Sequence, residues 1–241
     1  KSIHLLVRRF WDATKSAENR AVLEPVFEAP MGDELLTIKT KVDYLGGTFK
    51  NAPVSNDTKT PQIDYSLLQV GINPNINILK DDLTLNLGAN LVYGMDTEKS
   101  ENNFYIYPTV TASYRLMDNV AIAYGGIEGG LKQNSFHGFV EENPYVSPTL
   151  EIQPTDQQYD AYIGLKGQLL PNLSYNINGS YTAENRRPLF MLNPENTFRD
   201  DRKGYFYGNS FQVFYDDIKT LGLFGELNVD VNRNFTMGIN V

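Results

Sequence analysis

Cysteine is absent from this chain, and histidine and tryptophan are scarce, with two and one residues among 241. The lack of cysteine excludes disulfides and thiolate metal sites. No apolar run approaches the roughly 18 residues that a membrane-spanning helix needs. Helical periodicity is almost missing, apart from a weak stretch at residues 11–24 that Pro25 interrupts. The sequence therefore argues against a helical membrane protein and leaves little histidine for catalysis.

An excess of positive charge is also lacking, because 29 acidic residues outnumber 21 basic ones and the formal net charge is -8. Surfaces that bind nucleic acids usually carry a basic stripe. None is visible here, so we expect no nucleic-acid partner. The low mean hydropathy of -0.36 is compatible with a membrane β-barrel, because half of each barrel strand faces water.

What the sequence does contain is alternation with a period of two residues, clearest in GINPNINILKDDLTLNLGANLVYG at 71–94. Successive side chains of a strand point to opposite faces. This stretch therefore predicts a β-hairpin with one aliphatic face and one amide-rich face. The same alternation predicts about eleven strands, near residues 2–11, 19–29, 35–46, 61–79, 83–95, 104–116, 120–132, 157–169, 173–185, 208–231 and 235–241.

Short and long connections alternate between these strands, as in barrels with short turns on one rim and long loops on the other. The short ones are predicted at 30–34, 80–82, 117–119, 170–172 and 232–234, and the long ones at 12–18, 47–60, 96–103, 133–156 and 186–207. To preserve this alternation, 208–231 is predicted to be one tall strand, with Phe211, Val213 and Tyr215 in phase with 221–231. A phase slip at Leu67-Leu68 predicts a bulge.

Two folds accommodate such strands, and they place the aliphatic face on opposite sides. A soluble β-sandwich buries it and has strands of about 5–6 residues, whereas a membrane barrel turns it toward lipid. The predicted strands are mostly longer, so we predict an all-β, antiparallel up-and-down transmembrane β-barrel. Aromatic residues are predicted to flank its lipid-facing band, namely Phe10, Trp11, Tyr44, Tyr93, Phe104, Tyr105, Tyr159 and Tyr181 near the long loops and Phe27, Tyr114, Tyr175 and Phe235 near the short turns.

The enclosed polar face of such a barrel would carry charges of both signs. The candidate lumen-lining residues are Lys39, Lys41, Asp43, Arg115, Glu128, Asp160, Lys166, Glu184, Glu226 and Asp230. They could line a pore and bias the passage of ions or substrates, or they could form ion pairs that close the lumen. The sequence leaves both interpretations open.

Five stretches of the chain carry a family likeness: VDYLGGTF (42–49), FYIYPTVTASYRL with NVAIAYGGIEGGL (104–131), PTDQQYDAYIGLKG (154–167), YGNSF (207–211) and FGELNVDVNRNF (224–235). They resemble outer-membrane β-barrel proteins from Bacteroidota that are commonly labelled TonB-dependent receptors. The resemblance covers most of the chain from about residue 19, and it implies an outer-membrane location and a longer parent chain. It concerns the barrel part only, since no plug domain or TonB-box-like segment is seen, and the strands fall short of the 22 of a full transporter.

Other candidate sites each have a simpler interpretation. His137 could act as a metal ligand or general base, although an ordinary loop histidine is favoured over either role. The pairs Asp200-Asp201 and Asp216-Asp217 could bind calcium, but no loop matches an ordered calcium motif. The pairs Gly125-Gly126 and Gly129-Gly130 lie in a strand and predict a bulge or close packing rather than a phosphate loop. We therefore predict no catalytic residue, no metal site and no cofactor.

These patterns together predict that residues 1–241 are part of one outer-membrane barrel domain with both ends incomplete. The predicted function is receptor-like or transporter-like binding or passage of a solute at the cell surface, without enzyme activity. The predicted partners are outer-membrane lipid and other envelope proteins, such as a periplasmic energiser or a surface lipoprotein. Two alternatives stay open: a non-transporting scaffold subunit of an outer-membrane complex, and an outer-membrane hydrolase.

Overall fold

The computed structural model describes residues 1–32, 34–50, 62–195, 208–232 and 235–241. Its strands are Ser2–Trp11 (β1), Ala17–Met31 (β2), Glu34–Phe49 (β3), Ile63–Lys80 (β4), Leu83–Asp96 (β5), Glu101–Met117 (β6), Ala121–Lys132 (β7), Thr155–Leu170 (β8), Leu173–Leu192 (β9), Phe211–Asn232 (β10) and Phe235–Asn240 (β11), and its helix is Phe136–Glu142 (α1). Within these ranges, no helix has the length and apolar character required to span a membrane.

All eleven strands form one sheet in which each strand pairs with its neighbours in sequence order, and β1 and β11 are the edges. Every pairing is antiparallel. This arrangement confirms the predicted all-β, up-and-down architecture, including the single tall strand β10. Two connections that were expected to be long are tight turns, at 12–16 and 97–100, because β2 and β6 begin earlier than the alternation indicated.

The two faces of the sheet differ in the way predicted for a membrane barrel rather than for a sandwich. On the outer face, Leu221 and Leu223 are 80% and 85% exposed, and Ile163 is 75% exposed. On the opposite face, which we call the inner face, Asp43 and Asn75 are 0% and 3% exposed. The aliphatic stripe is therefore outside and the amide-rich face is inside.

Most of the predicted rim aromatics lie on the outer face, where the side chains of Trp11, Tyr44, Tyr93, Phe104, Tyr159, Tyr181, Phe27, Tyr114 and Phe235 are exposed. Two assignments are wrong. Phe10 packs edge-on against Phe136, with ring centroids 5.2 Å apart, and Tyr105 stacks on Tyr107 at 6.0 Å. Their chain neighbours Trp11 and Phe104 point outward, so strand alternation turns both rings inward.

The phase of the tall strands changes at a different place from the predicted one. β4 pairs with β3 without interruption from Ile63 to Asn77, so the bulge predicted at Leu67-Leu68 is wrong. Leu67 is an inner-face residue that packs in an apolar cluster. Near Leu67 the inner face of β4 is apolar because it contacts this cluster. Apolar residues on both faces interrupt the alternation in the sequence without any change in register.

A register shift lies instead between Asp216 and Ile218 of β10. An extra residue in one strand moves the side chains beyond it to the other face. Val213 and Tyr215 consequently pack with the inner-face cluster, whereas Leu221 is exposed on the outer face. The prediction that these residues share one phase is wrong.

A second register shift, between Glu128 of β7 and Gly130, confirms the predicted irregularity at Gly129-Gly130. Gly129 lies within it, and a Cβ there would be 2.7 Å from the carbonyl oxygen of Gln158. A side chain at this position would therefore force the backbones of β7 and β8 apart. Gly125-Gly126 pairs with β8 in regular register, and its close packing shows in the 2.9 Å between a Cβ at Gly125 and the Tyr162 carbonyl oxygen.

Candidate functional site

Residues 133–154 connect β7 to β8 and fold onto the inner face; we call this segment the strap. It contains α1, whose Phe136 and Phe139 are 2% and 4% exposed. These two rings belong to one apolar cluster with Leu45, Phe49, Tyr65, Leu67, Val146, Leu150, Ile152 and Val213. The sequence analysis placed this segment in a long loop and missed the helix. The spacing of Phe136, Phe139 and Val140 was the available signal, since i, i+3, i+4 apolar residues indicate a helical face.

The contacts of the strap show that the sheet is strongly curved. The cluster joins strap residues to β3 and β4 on one side and to β10 on the other, and β4 and β10 are six strands apart in the sheet. At about 4.8 Å per strand, a flat sheet would separate them by about 29 Å. The seven-residue helix α1 spans only about 10 Å. Its Phe136 nevertheless packs on Phe49 of β3, and its Phe139 on Phe190 of β9, with ring centroids 4.9 and 6.1 Å apart. The sheet therefore wraps around the strap, as a barrel wall surrounds its lumen.

A buried carboxylate holds the beginning of α1 against β2. Glu18 is 1% exposed, and its oxygens accept hydrogen bonds from the backbone N–H groups of Phe136 and His137 at 2.6 and 3.3 Å and from the Tyr65 hydroxyl at 3.0 Å. The Arg8 guanidinium lies 3.8 Å away and compensates the charge. Free N–H groups at a helix start favour an anionic acceptor, so Glu18 fixes the strap to the wall.

The far end of the strap is attached to β10 through backbone hydrogen bonds. Ser147 N donates to the Phe211 carbonyl at 2.8 Å, and Phe211 N donates to the Tyr145 carbonyl at 2.9 Å. The Tyr215 hydroxyl donates to the Glu151 carbonyl and accepts from Gln153 N, both at 3.0 Å. The strap is thus bonded to both sides of the curved sheet.

An ion pair also joins the strap to the turn between β5 and β6. The Lys99 ammonium contacts the Glu151 carboxylate. The hydrogen bond from Lys99 lowers the pKa of Glu151 and raises the pKa of Lys99 itself. Both side chains are about half exposed, so solvent screens the pair and it contributes little to stability.

Two of the predicted lumen-lining acids are buried carboxylates that form ion pairs. Arg20 donates to both carboxylate oxygens of Asp43 at 2.9 and 2.7 Å, and the Lys41 ammonium lies 3.1 Å from the same group. Glu184 is 7% exposed and accepts from Lys132 and Arg187, both at 2.9 Å. The first network joins the neighbouring strands β2 and β3, and the second joins β7 to β9 across β8. In both places the carboxylate is buried and paired.

The other lumen-lining candidates do not form one site. Arg115 lies 3.7 Å from Asp82 at a short turn. The Lys166 ammonium is 5.2 Å from the centroid of the Tyr124 ring and shares an open pocket with Glu226. The remaining candidates, Lys39, Glu128, Asp160 and Asp230, are exposed or half-buried. A pore lined by all ten residues stays a prediction.

Each histidine is paired with a glutamate. His137 Nδ1 lies 3.1 Å from Glu141 one helical turn away, and His4 Nδ1 lies 3.2 Å from Glu24. In the part of the chain that the structure describes, no group of three His, Asp or Glu side chains could hold a metal ion.

The aspartate pairs considered for calcium have different outcomes. Asp217 accepts a hydrogen bond from the backbone N–H of Arg186 at 3.0 Å, and Asp216 accepts from the N–H of Asp217 at 2.8 Å. This pair therefore stabilises the register shift between β9 and β10. The pair Asp200-Asp201 lies outside the described residues.

Solved structures match the chain over almost its whole length, whereas no protein-family model and no curated protein matches it. The copper transporter OprC aligns with a TM-score of 0.58 at 14% identity, over 93% of this chain and 38% of its own. The FrpB iron transporter from Neisseria meningitidis gives 0.61 at 8% identity, over 93% and 35%. The siderophore receptor PirA from Pseudomonas aeruginosa gives 0.58 at 13% identity, over 97% and 43%.

At these low sequence identities, the TM-scores show that the fold is shared. The curved sheet of this chain has the fold of an outer-membrane β-barrel wall, as the sequence analysis predicted. The chain spans between 35% and 43% of the length of the three matched structures.

Proposed function

We propose that this chain forms part of the wall of an outer-membrane receptor or transporter that binds or passes a solute at the cell surface. The observation that carries the proposal is the accessible aliphatic exterior around an inner face that buries polar groups. A strand-built protein of this polarity suits a bilayer, where only a closed sheet satisfies every backbone group. The similarity to two transporters and a receptor supports a solute-related role, and we expect no enzyme activity.

The strand number supports the proposal that this sheet is part of one larger barrel domain. In an antiparallel sheet of eleven strands, β1 and β11 run in the same direction. They cannot complete an antiparallel barrel by pairing with each other. We therefore propose that both edges pair with further strands, where an odd number of additional strands would restore the even count typical of bacterial barrels.

The strap gives this proposed wall a means of controlling passage. It fills the inner face between β4 and β10 with an apolar cluster and is bonded to both sides. A solute that moves along this side of the lumen must pass beside the strap or displace it. We therefore place the size limit for passage at the strap.

Replacement of residues 134–153 of the full-length protein by a short Gly-Ser linker tests this function. The purified variant and wild type are inserted into liposomes, and swelling is measured in neutral sugars of increasing size. We expect the variant to admit larger sugars than wild type. Heat-modifiable migration on a gel verifies that the variant barrel is folded. A folded variant that admits no sugar would overturn the passage function.

A scaffold function is the second candidate, and the filled inner face favours it. A lumen closed by the strap and by buried ion pairs such as Arg20–Asp43 needs no solute. The matching experiment is purification of the native protein from membranes under mild detergent. A stoichiometric partner together with no swelling response would support the scaffold over the transporter.

The remaining parts of the proposal concern place and partners. We propose a location in the cell outer membrane, with the exposed aliphatic stripe against lipid. A periplasmic energiser or a surface lipoprotein is the expected protein partner, as the resemblance to Bacteroidota receptors implies. Fractionation of cells into inner and outer membranes, followed by crosslinking, tests both statements.

A further inference from the structure

Arg186 has a strained backbone at the register shift between β9 and β10. Its φ is 54°, in the left-handed region that residues other than glycine rarely adopt. Two groups hold it there: Asp217 accepts from its N–H at 3.0 Å, and Thr155 Oγ1 donates to its carbonyl at 2.9 Å. Strain that the surroundings enforce in this way concentrates at functional sites.

The strained backbone brings the Arg186 guanidinium to the base of the strap. Nε donates to the Pro154 carbonyl at 3.3 Å, and Nη2 donates to the Tyr105 hydroxyl at 3.2 Å. A guanidinium has five N–H donors, so these two contacts orient the group and leave donors for a further acceptor.

No carboxylate neutralises this guanidinium within the described residues. Arg8, Arg20, Arg115 and Arg187 each lie within 4.0 Å of an acidic side chain. Arg186 is half-buried and has no such partner in the described ranges. A partly desolvated cation without a counter-ion attracts an anion, and the planar guanidinium matches a carboxylate best.

The guanidinium lines a cavity of about 90 Å³ between the strap and the wall. Tyr105 forms one side and is itself stacked on Tyr107 at 6.0 Å, with the ring planes inclined by 5°. Gln69 and Gln133, whose amides are joined by a hydrogen bond of 2.8 Å, form another. The cavity therefore offers a cation, an aromatic ring and neutral amides in a volume that suits one end of a solute.

The cavity also has an acidic side, at the turn between β5 and β6. Asp96 and Glu101 line it there, whereas Lys99 on the same turn is paired with Glu151. A second negative charge on the bound solute would meet these carboxylates. A monoanion or a zwitterion fits this distribution better than a dianion does.

We propose that this cavity binds the carboxylate of a small monoanionic or zwitterionic solute, with Arg186 as its anchor and Tyr105 as the residue that orients the guanidinium. The inference deepens the proposed receptor function and rests on it, because it names the class of solute that the wall recognises. The site requires the strap, since Pro154 and Gln133 at its two ends contribute to the cavity.

Calorimetry on the detergent-purified full-length protein tests the proposal. The probes are alanyl-alanine and benzoate, each compared with its carboxamide. We expect wild type to prefer each acid over its amide by about 10- to 100-fold. Arg186→Gln should lose this preference and keep the weak binding of the amides. Arg186→Lys should restore part of it, and Tyr105→Phe should reduce it.

Arg115→Gln is the matched control, because it removes an exposed guanidinium that is paired with Asp82 at a short turn. Wild type that binds acid and amide equally would overturn the proposal, as would an equal loss of both probes in Arg186→Gln. If Arg186→Gln does not fold, the acid preference of wild type and its change in Tyr105→Phe decide the matter. Acid binding without any passage would refute only the transport function, and passage without acid preference would refute only this site.

Discussion

Substitution of Glu18 tests whether the strap is held to the wall by one buried carboxylate. Glu18→Gln keeps the shape of the side chain and one acceptor oxygen but removes the charge. It should release the strap while leaving the eleven-stranded sheet paired, because Glu18 contacts α1 through side-chain bonds and its own strand pairs through the backbone.

The expected size of the effect follows from the contacts. Glu18 is 1% exposed and accepts three hydrogen bonds, from Phe136 N, His137 N and the Tyr65 hydroxyl. Hydrogen bonds to a charged group contribute about 1.5–3 kcal/mol each but are not additive. We expect Glu18→Gln to lower the free energy of strap opening by about 1.5–3 kcal/mol, or about 10- to 100-fold in the opening equilibrium.

The assay uses the absence of cysteine from the chain. Ser147→Cys introduces the one thiol of residues 1–241, nearly isosteric with the serine, at a strap position that is 1% exposed. Any cysteine of the parent chain outside these residues is first replaced by serine. The thiol reacts with a maleimide only when the strap opens, so the labelling rate reports the opening equilibrium when reclosing is fast. The rate in Ser147→Cys/Glu18→Gln should exceed that in Ser147→Cys by the factor given above.

Glu128→Gln provides the matched control, because Glu128 is an exposed carboxylate on β7, the strand that leads into the strap. It should leave the labelling rate unchanged within about twofold, as expected for a surface substitution. If Glu18→Gln labels no faster than its parent, or if both glutamine variants label equally fast, Glu18 does not hold the strap.

Three further predictions concern the wall and the strap. Leu223→Arg, at an outer-face position that is 85% exposed, should destabilise the barrel in vesicles by about 2–4 kcal/mol; an unchanged urea midpoint would contradict lipid contact. Asp43→Ala removes the two charge-assisted hydrogen bonds that the half-buried Arg20 makes and should cost about 1.5–3 kcal/mol. The exposed control Asp230→Ala should cost less than about 0.5 kcal/mol, and equal urea midpoints would refute the ion-pair assignment. The pKa of Glu151 is lowered by its hydrogen bond from Lys99, so the stabilisation is present above the ordinary glutamate pKa of about 4.3 and is lost as pH falls through the lowered value. The labelling rate of the strap thiol, divided by that of the unfolded protein at the same pH, should therefore rise in acid more in Ser147→Cys than in Ser147→Cys/Glu151→Gln. Identical acid profiles would rule the pair out.

The alternation of apolar and polar residues was sufficient to predict the strands and to predict which side chains share a face. Alternation of Ile72, Ile76 and Ile78 with asparagines specified a two-faced hairpin, and β4 and β5 pair as one. The polarity of Asp43 and Glu184 predicted charges away from the aliphatic face. Both carboxylates are buried, and their role in lining a lumen stays a prediction. Their partners Arg20 and Lys132 were missed, because alternation within one strand does not show which residues of other strands lie beside it. Arg20 reaches Asp43 from the paired strand β2, and Lys132 reaches Glu184 across the intervening strand β8.

The alternation of residues within each strand did not predict the strap or the contacts that attach it to the sheet. Glu18 looked like the end of a loop, and only the docking of α1, more than a hundred residues later, makes it a buried acceptor. Arg186 looked like an ordinary loop residue, and its geometry depends on Asp217 and Tyr105 on other strands.

The sequence by itself determined that this chain builds a long antiparallel sheet with an aliphatic exterior, because a period of two residues fixes which side chains share a face. Tertiary structure decided where that period shifts, which residues line the interior and what fills it. Leu67 and Val213 are inside because the curved sheet encloses the strap. That enclosure depends on the contacts of the strap with strands that are six positions apart in the sheet, which no local alternation encodes.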